Sequence, residues 1–292
     1  MTILRLVLAI LVLVVAAPPP AVAFATAGHA LCYTESVGVE VRRKGRPDIA
    51  ETIPPGQLFR VGEEDVISAA AAATIEMAPA GGAFRTIHVG PDRPHTVAAR
   101  GPDSSLPDNL FNWLNRLFGP ADGSEKRHVI SVRTAALSVP LQRDKGNRIV
   151  ATGDRLPIAW VGGQGGVSIT LEADSQALIE LTGLQNEGRA DIVLPKGSFT
   201  PGSYRITLTD SMNTVKINVQ AFAPSSVPVS ALAATAGADP ALGPLLDAAE
   251  LATVDNGAWR MEAYRRLIAD GSLPALRLAA RLAEGRFPLE VP

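Results

Sequence analysis

Four histidines occur in the 292 residues: His29, His88, His95 and His128. Imidazole is the commonest base for activating a serine, and two imidazoles one helical turn apart commonly open a zinc site. The sequence contains neither a G-x-S-x-G elbow nor an H-x-x-x-H pair, so His88 and His95 are read as core or surface residues. Cys32 is the sole cysteine, which excludes an internal disulfide and a cysteine-based zinc site and leaves only a bridge to a partner. Glu63-Glu64-Asp65 brings three carboxylates together without the spacing of an EF-hand loop and reads as a solvated loop. Gly162-Gly163-Gln164-Gly165-Gly166 has the glycine content of a phosphate loop, but it lacks the Lys-Ser/Thr ending and runs into a strand. It reads as a hairpin turn. No catalytic residue, metal ligand or cofactor is assigned.

Binding is the remaining chemistry. Arg42, Arg43, Lys44 and Arg46 form the one dense basic patch, at the tip of an expected hairpin. Trp259 and Tyr264 lie on one face of an expected helix with Ala263 and Leu267. These six residues are the interaction candidates. A formal net charge of −2 over the whole chain argues against nucleic acid. Three Trp and three Tyr, several of them at expected core positions, give a thin basis for stacking on sugars.

The elements that must carry these residues are mostly strands. Arg155 to Phe222 is a run of short alternating segments, and in Val167-Ser168-Ile169-Thr170-Leu171 the residues Val167, Ile169 and Leu171 share one face. Leu156–Trp160, Ala177–Leu181, Ala190–Leu194, Tyr204–Thr209 and Val215–Val219 repeat the pattern. Asp210-Ser211-Met212-Asn213-Thr214 supplies the residues a hairpin turn needs. Short strands with regular turn signals predict an antiparallel β-sandwich. The stretch Phe199-Thr200-Pro201-Gly202-Ser203-Tyr204 resembles the penultimate hairpin of immunoglobulin-like extracellular sandwich modules, in which Pro-Gly turns the chain and the Tyr packs on the core.

Residues 31–98 read as a smaller β module. Val39, Val41 and Arg43 lead to Gly56, Leu58 or Phe59, Gly62, Asp65 and Ile67. This order resembles the FecR-like periplasmic module, with Glu63-Glu64 inserted and the run Ala69 to Ala73 in place of a Thr-Gly. The resemblance implies a small β-rich fold of the cell envelope used for signalling or protein contact. The alanine run is read as strand and turn, because Pro79 and Gly81-Gly82 would stop a helix early.

Residues 1–23 carry the n-region, apolar run and A-x-A order of a secretory signal, with cleavage after Ala23 or Ala27. Cleavage after Ala23 removes Arg5 and moves the formal charge from −2 to −3. Residues 99–125 form a linker holding an amphipathic helix, Asp108–Phe118, with Ser105 or Asp108 as its cap. Its apolar stripe is read as packing between the β modules, since a membrane-docking basic face is missing. A Pro/Ser/Ala linker at 223–239 precedes a helical segment at 240–292, with helices near 242–252, 258–269 and 274–284.

The expected architecture is mainly β with a C-terminal α-helical segment: a small FecR-like β module, then an antiparallel β-sandwich at 126–222. The expected protein is exported, periplasmic or extracellular, and non-enzymatic. Its expected partner is another envelope or membrane protein, with membrane contact only through an uncleaved signal. The alternative is a ligand- or carbohydrate-binding protein with a site between the modules.

Overall fold

The computed structural model describes residues 26–32, 37–79, 83–98, 108–118, 136–143, 146–174, 176–185, 188–235 and 241–287. The signal at 1–23, Ser105 and His128 lie outside them. The fold is mainly β with C-terminal helices. The first module holds eight strands: β1 Thr26–Cys32, β2 Val39–Arg43, β3 Arg46–Ile53, β4 Leu58–Gly62, β5 Val66–Ser68, β6 Ala73–Pro79, β7 Arg85–Val89 and β8 His95–Thr96. They form two four-stranded sheets, β4-β1-β6-β7 and β3-β2-β5-β8. Alternation sends Val39 and Val41 of β2, Val61 of β4, Ile67 of β5, and Ile75 and Met77 of β6 into a core that this module fills with its own side chains. Strand β1 pairs with β4 and β6, so the module begins at Thr26 and not at residue 31. His29 therefore belongs to a strand.

Helix α1, Asp108–Phe118, buries Leu110, Trp113, Leu114, Leu117 and Phe118. The stripe does pack inward as its spacing predicts, but its neighbours are β4 and the last helix of the chain. The Leu58 N–H donates to Asn115 Oδ1 at 3.1 Å, and the Arg60 guanidinium lies 4.6 Å from the centre of the Phe111 ring.

The second module comprises β9 Asn147–Val150, β10 Arg155–Trp160, β11 Val167–Ala173, β12 Gln176–Leu184, β13 Gly188–Val193, β14 Gly202–Thr209 and β15 Thr214–Phe222. Its sheets are β10-β13 and β12-β11-β14-β15-β9. The two sheets are the layers of a β-sandwich around one core. The pairing is antiparallel throughout except at β9, which runs parallel to β15, a strand that the sequence reading missed. The Tyr204 hydroxyl donates to the Thr200 carbonyl at 2.8 Å and accepts the Thr200 N–H at 3.1 Å. That contact fastens the corner before β14. The glycine-rich stretch 162–166 is not a hairpin turn. It carries the chain from β10 in one sheet to β11 in the other, and it is pinned to the β14–β15 turn by Gln164 N–H to Asp210 Oδ2, 3.0 Å, and Ser211 N–H to the Gln164 carbonyl, 3.0 Å.

Helices α2 Ala231–Thr235, α3 Leu242–Leu251, α4 Arg260–Asp270 and α5 Leu273–Ala283 follow. Three of them match the expected helices to within two residues, and α2 was not foreseen. Ser272 caps α5 by accepting the Ala275 N–H, Pro274 sits in its first turn, and Gly271 (φ 69°) ends α4 in the left-handed conformation that glycine adopts without strain. Helix α4 packs on β9 and β10. Leu242, Leu246, Trp259, Ala263, Tyr264, Leu267 and Leu278 are buried in the same cluster as Ile149, Ile158, Leu171 and Ile206 of the sandwich. No helix among the described residues is long and apolar enough to cross a membrane.

Candidate functional site

The basic hairpin tip is largely neutralised. Arg43 Nη1 donates to Asp65 Oδ2 at 2.7 Å, Arg43 Nη2 to Glu51 Oε2 at 2.7 Å, and Lys44 Nζ to Glu64 Oε1 at 2.9 Å. Burial works against the charge on Arg43, but Asp65 and Glu51 more than restore it and hold its pKa above the ordinary guanidinium value. Asp65 is itself buried and also accepts the N–H groups of Gly62, 2.6 Å, and Lys44, 3.2 Å. Of the acidic triplet, then, Glu64 is a surface partner while Asp65 is a structural knot and not part of a solvated loop. Arg42 and Arg46 of the patch remain exposed, and among the described residues neither is ion-paired.

The aromatic candidates are not on the surface. Trp259 and Tyr264 are each 2% exposed. The Trp259 ring stands 5.5 Å from that of Phe222 at the end of β15, and burial pushes the Tyr264 hydroxyl up in pKa, against the opposing pull of Arg189. The apolar spacing that suggested a presented face is the spacing of a face packed on a sheet. Beside them lies Glu262, fully buried. It accepts Val150 N–H at 3.2 Å, Arg265 Nη2 at 2.8 Å and Arg266 Nε at 2.9 Å. Arg265 reaches on to Thr152 Oγ1 at 3.0 Å, and Arg266 to Asp247. One carboxylate thus ties α4 to β9 and α3.

His88 Nδ1 lies 3.3 Å from Thr74 Oγ1 in the first module. His95 is partly buried, and burial together with Arg85 lowers its pKa. Among the described residues no group of three or more His, Cys, Asp or Glu is placed to hold a metal.

Among the described residues, two surfaces are open to a partner. A polar groove of about 400 Å³ lies on the five-stranded sheet, lined by Glu172, Asp174, Ser203, Arg205, Asn218 and Gln220 among others. Several of its groups already serve each other: Ser203 Oγ donates to Gln220 Oε1 at 2.9 Å, and Arg205 lies 3.7 Å from Glu172. The second surface is the edge of the same sheet. Strand β12 pairs with β11 on one side only, and none of its nine residues is buried. Leu178 on β12 is 38% exposed and Val193 on the neighbouring β13 is 51% exposed. The edge was legible as a strand, but only the sheet order shows that it is an edge.

No protein family and no curated protein matches this chain. Among solved structures it is similar to the BSP domain of a biofilm associated protein, at 10% identity over 69% of this chain and 26% of that one, TM-score 0.23. Domains 4–9 of the surface layer protein SbsC align at 15% identity over 68% and 23% of the two chains, TM-score 0.23. Domains FN1–FN3 of chicken CNTN1 align at 8% identity over 68% and 63%, TM-score 0.21. The chain spans about a quarter of the length of the first two.

Proposed function

We propose that this chain is an exported, non-enzymatic protein of the cell envelope that works by protein–protein contact, with the outer edge of β12 as its docking strand. The observation that carries the reading is that edge: nine residues of backbone paired on one side only, with Leu178 exposed on it and Val193 beside it. An unpaired edge recognises an extended segment through main-chain hydrogen bonds and selects it through alternate side-chain contacts. The occupant is an extended strand of another envelope protein. The signal-like residues 1–23 and the FecR-like order in the first module support the envelope setting, periplasmic or extracellular.

The test is capture from the source envelope fraction by the full mature chain, compared with Leu178→Lys and Val193→Lys. Both variants are expected to stay close to the parent melting temperature, because neither side chain belongs to the buried core, and to lose the captured protein. Capture that is indifferent to both substitutions sinks the edge as the docking strand. The groove favours a second reading, a binding protein for a small polar ligand. It lies on the second sandwich and not between the modules. A rise in melting temperature with an envelope glycan, abolished by Arg205→Ala, would favour it.

A further inference from the structure

Strands β12 and β13 follow one another in the chain and touch, and each is an outermost strand of its own sheet. The connection between them is pinned by the Trp160 indole, whose Nε1 donates to the Gln185 carbonyl at 3.1 Å. The two edges are therefore held side by side before any partner arrives, which lowers the cost of binding one.

The register shows what faces the gap between them. Val167, Ile169 and Leu171 of β11 stand opposite Leu184, Leu181 and Ile179 of β12, so these side chains share the inner face of the sheet. On β11 they are at most 1% exposed. On β12 all three are only half-buried, although they pack against the same core, because the two-stranded sheet leaves this outer row without full cover. Ala190 of β13, also half-buried, packs on that core from the other sheet.

The charge along the edge has one sign. Glu180 is the sole charged residue of β12 and stands opposite Thr170, and Asp174 lies in the turn before the strand. Both are exposed, and among the described residues neither is ion-paired. On β13, Arg189 is engaged with the Tyr264 hydroxyl, and Asp191 lies 3.8 Å from Arg155.

We propose that the gap between β12 and β13 takes an extended strand with two distinct faces. One face carries large apolar side chains on alternate residues, which cover the row of Ile179, Leu181 and Leu184. The other carries lysine or arginine on the residues between, which meet Glu180 and Asp174. The inference rests on the reading of β12 as the docking strand and adds what its occupant must carry. Main-chain pairing accepts any sequence, so the inner row and the two carboxylates supply the selection. Acidic residues at the same positions of the occupant set like charges across the ladder.

The test uses the full chain and three synthetic peptides of nine residues, the length of β12: alternating Val and Lys, alternating Val and Glu, and alternating Ser and Lys. Binding is followed by fluorescence anisotropy at low ionic strength, and its place by hydrogen exchange of the β12 amides. The Val/Lys peptide is expected to bind at least about tenfold more tightly than either of the others and to slow exchange along Gln176–Leu184. Glu180→Lys is expected to bring the Val/Lys and Val/Glu peptides to within about threefold of each other. Slowed exchange on β12 with Val/Glu or Ser/Lys binding as tightly as Val/Lys overturns this inference and leaves the edge as a docking strand. Unchanged exchange on β12 with all three peptides overturns the edge reading and this inference with it.

Discussion

Both β modules are built from short strands of alternating residues, yet they close their cores differently. In the first, Val39, Val41, Val61, Ile67, Ile75 and Met77 meet one another across two four-stranded sheets. In the second, the two-stranded sheet β10-β13 is too narrow to cover the five-stranded one. Its buried residues share a cluster with Trp259, Tyr264, Leu267 and Leu278 of the C-terminal helices. The polar knots differ in the same way. Asp65 joins two turns of one module, whereas Glu262 joins segments more than a hundred residues apart. A sandwich with matched sheets is complete in itself, and one with unmatched sheets must recruit a third layer.

The largest effect that would break this contrast comes from fragments. Residues 136–222 alone are expected to show no cooperative unfolding transition, whereas 136–287 and the first module, 24–98, each melt cooperatively. A sharp transition for 136–222 near the parent temperature would mean that the helices are ornament and not core. Next is Glu262→Ala, which leaves Arg265, Arg266 and the Val150 N–H without their shared acceptor. Denaturant unfolding is expected to show a loss of about 3–5 kcal/mol confined to the second module. Asp65→Ala is the counterpart in the first module, with an expected loss of about 1–3 kcal/mol that leaves the second module's transition in place. Equal effects of either substitution on both modules would show that the two cores unfold as one.

Smaller still is Tyr204→Phe. It removes the corner hydrogen bonds but keeps the ring against Phe199, 5.2 Å away, and about 1 kcal/mol is expected to go. Asp210 gives the pH dependence of the same end of the sandwich. Burial opposes its ionisation, but the backbone N–H groups of Met212, Asn213 and Gln164 outweigh burial and hold its pKa below the ordinary carboxylate value. A folded pKa below the unfolded one stabilises the fold above the unfolded value, about 3.9. That contribution is lost as pH falls through the folded pKa. Asp210→Asn is expected to flatten the acid limb of the stability curve below about pH 4, and an unchanged limb would count against the turn as its origin.

Much of this was readable in the chain. Period-two alternation at Val167, Ile169 and Leu171 specifies a strand and its buried face, and all three are buried. The spacing of Leu110, Trp113, Leu114, Leu117 and Phe118 specifies a helix with one apolar side. Asp210 to Thr214 specifies a turn, and Gly271 and Pro274 mark the end of one helix and the start of the next. These are properties of neighbours along the sequence, set by backbone geometry within a few residues.

Pairing between distant segments is decided elsewhere. Nothing local says that β9 lies parallel to β15, that the glycines at 162–166 cross between sheets, or that Trp259 and Tyr264 face Phe222 and the sandwich and not a partner. The same holds for Arg43, whose two carboxylate partners lie 8 and 22 residues away, and for Glu262, which accepts the Val150 N–H from 112 residues away. Local alternation and capping fix the elements because they depend on near neighbours. Which edge stays open, and which distant groups come to pair, depends on how the finished layers share one core.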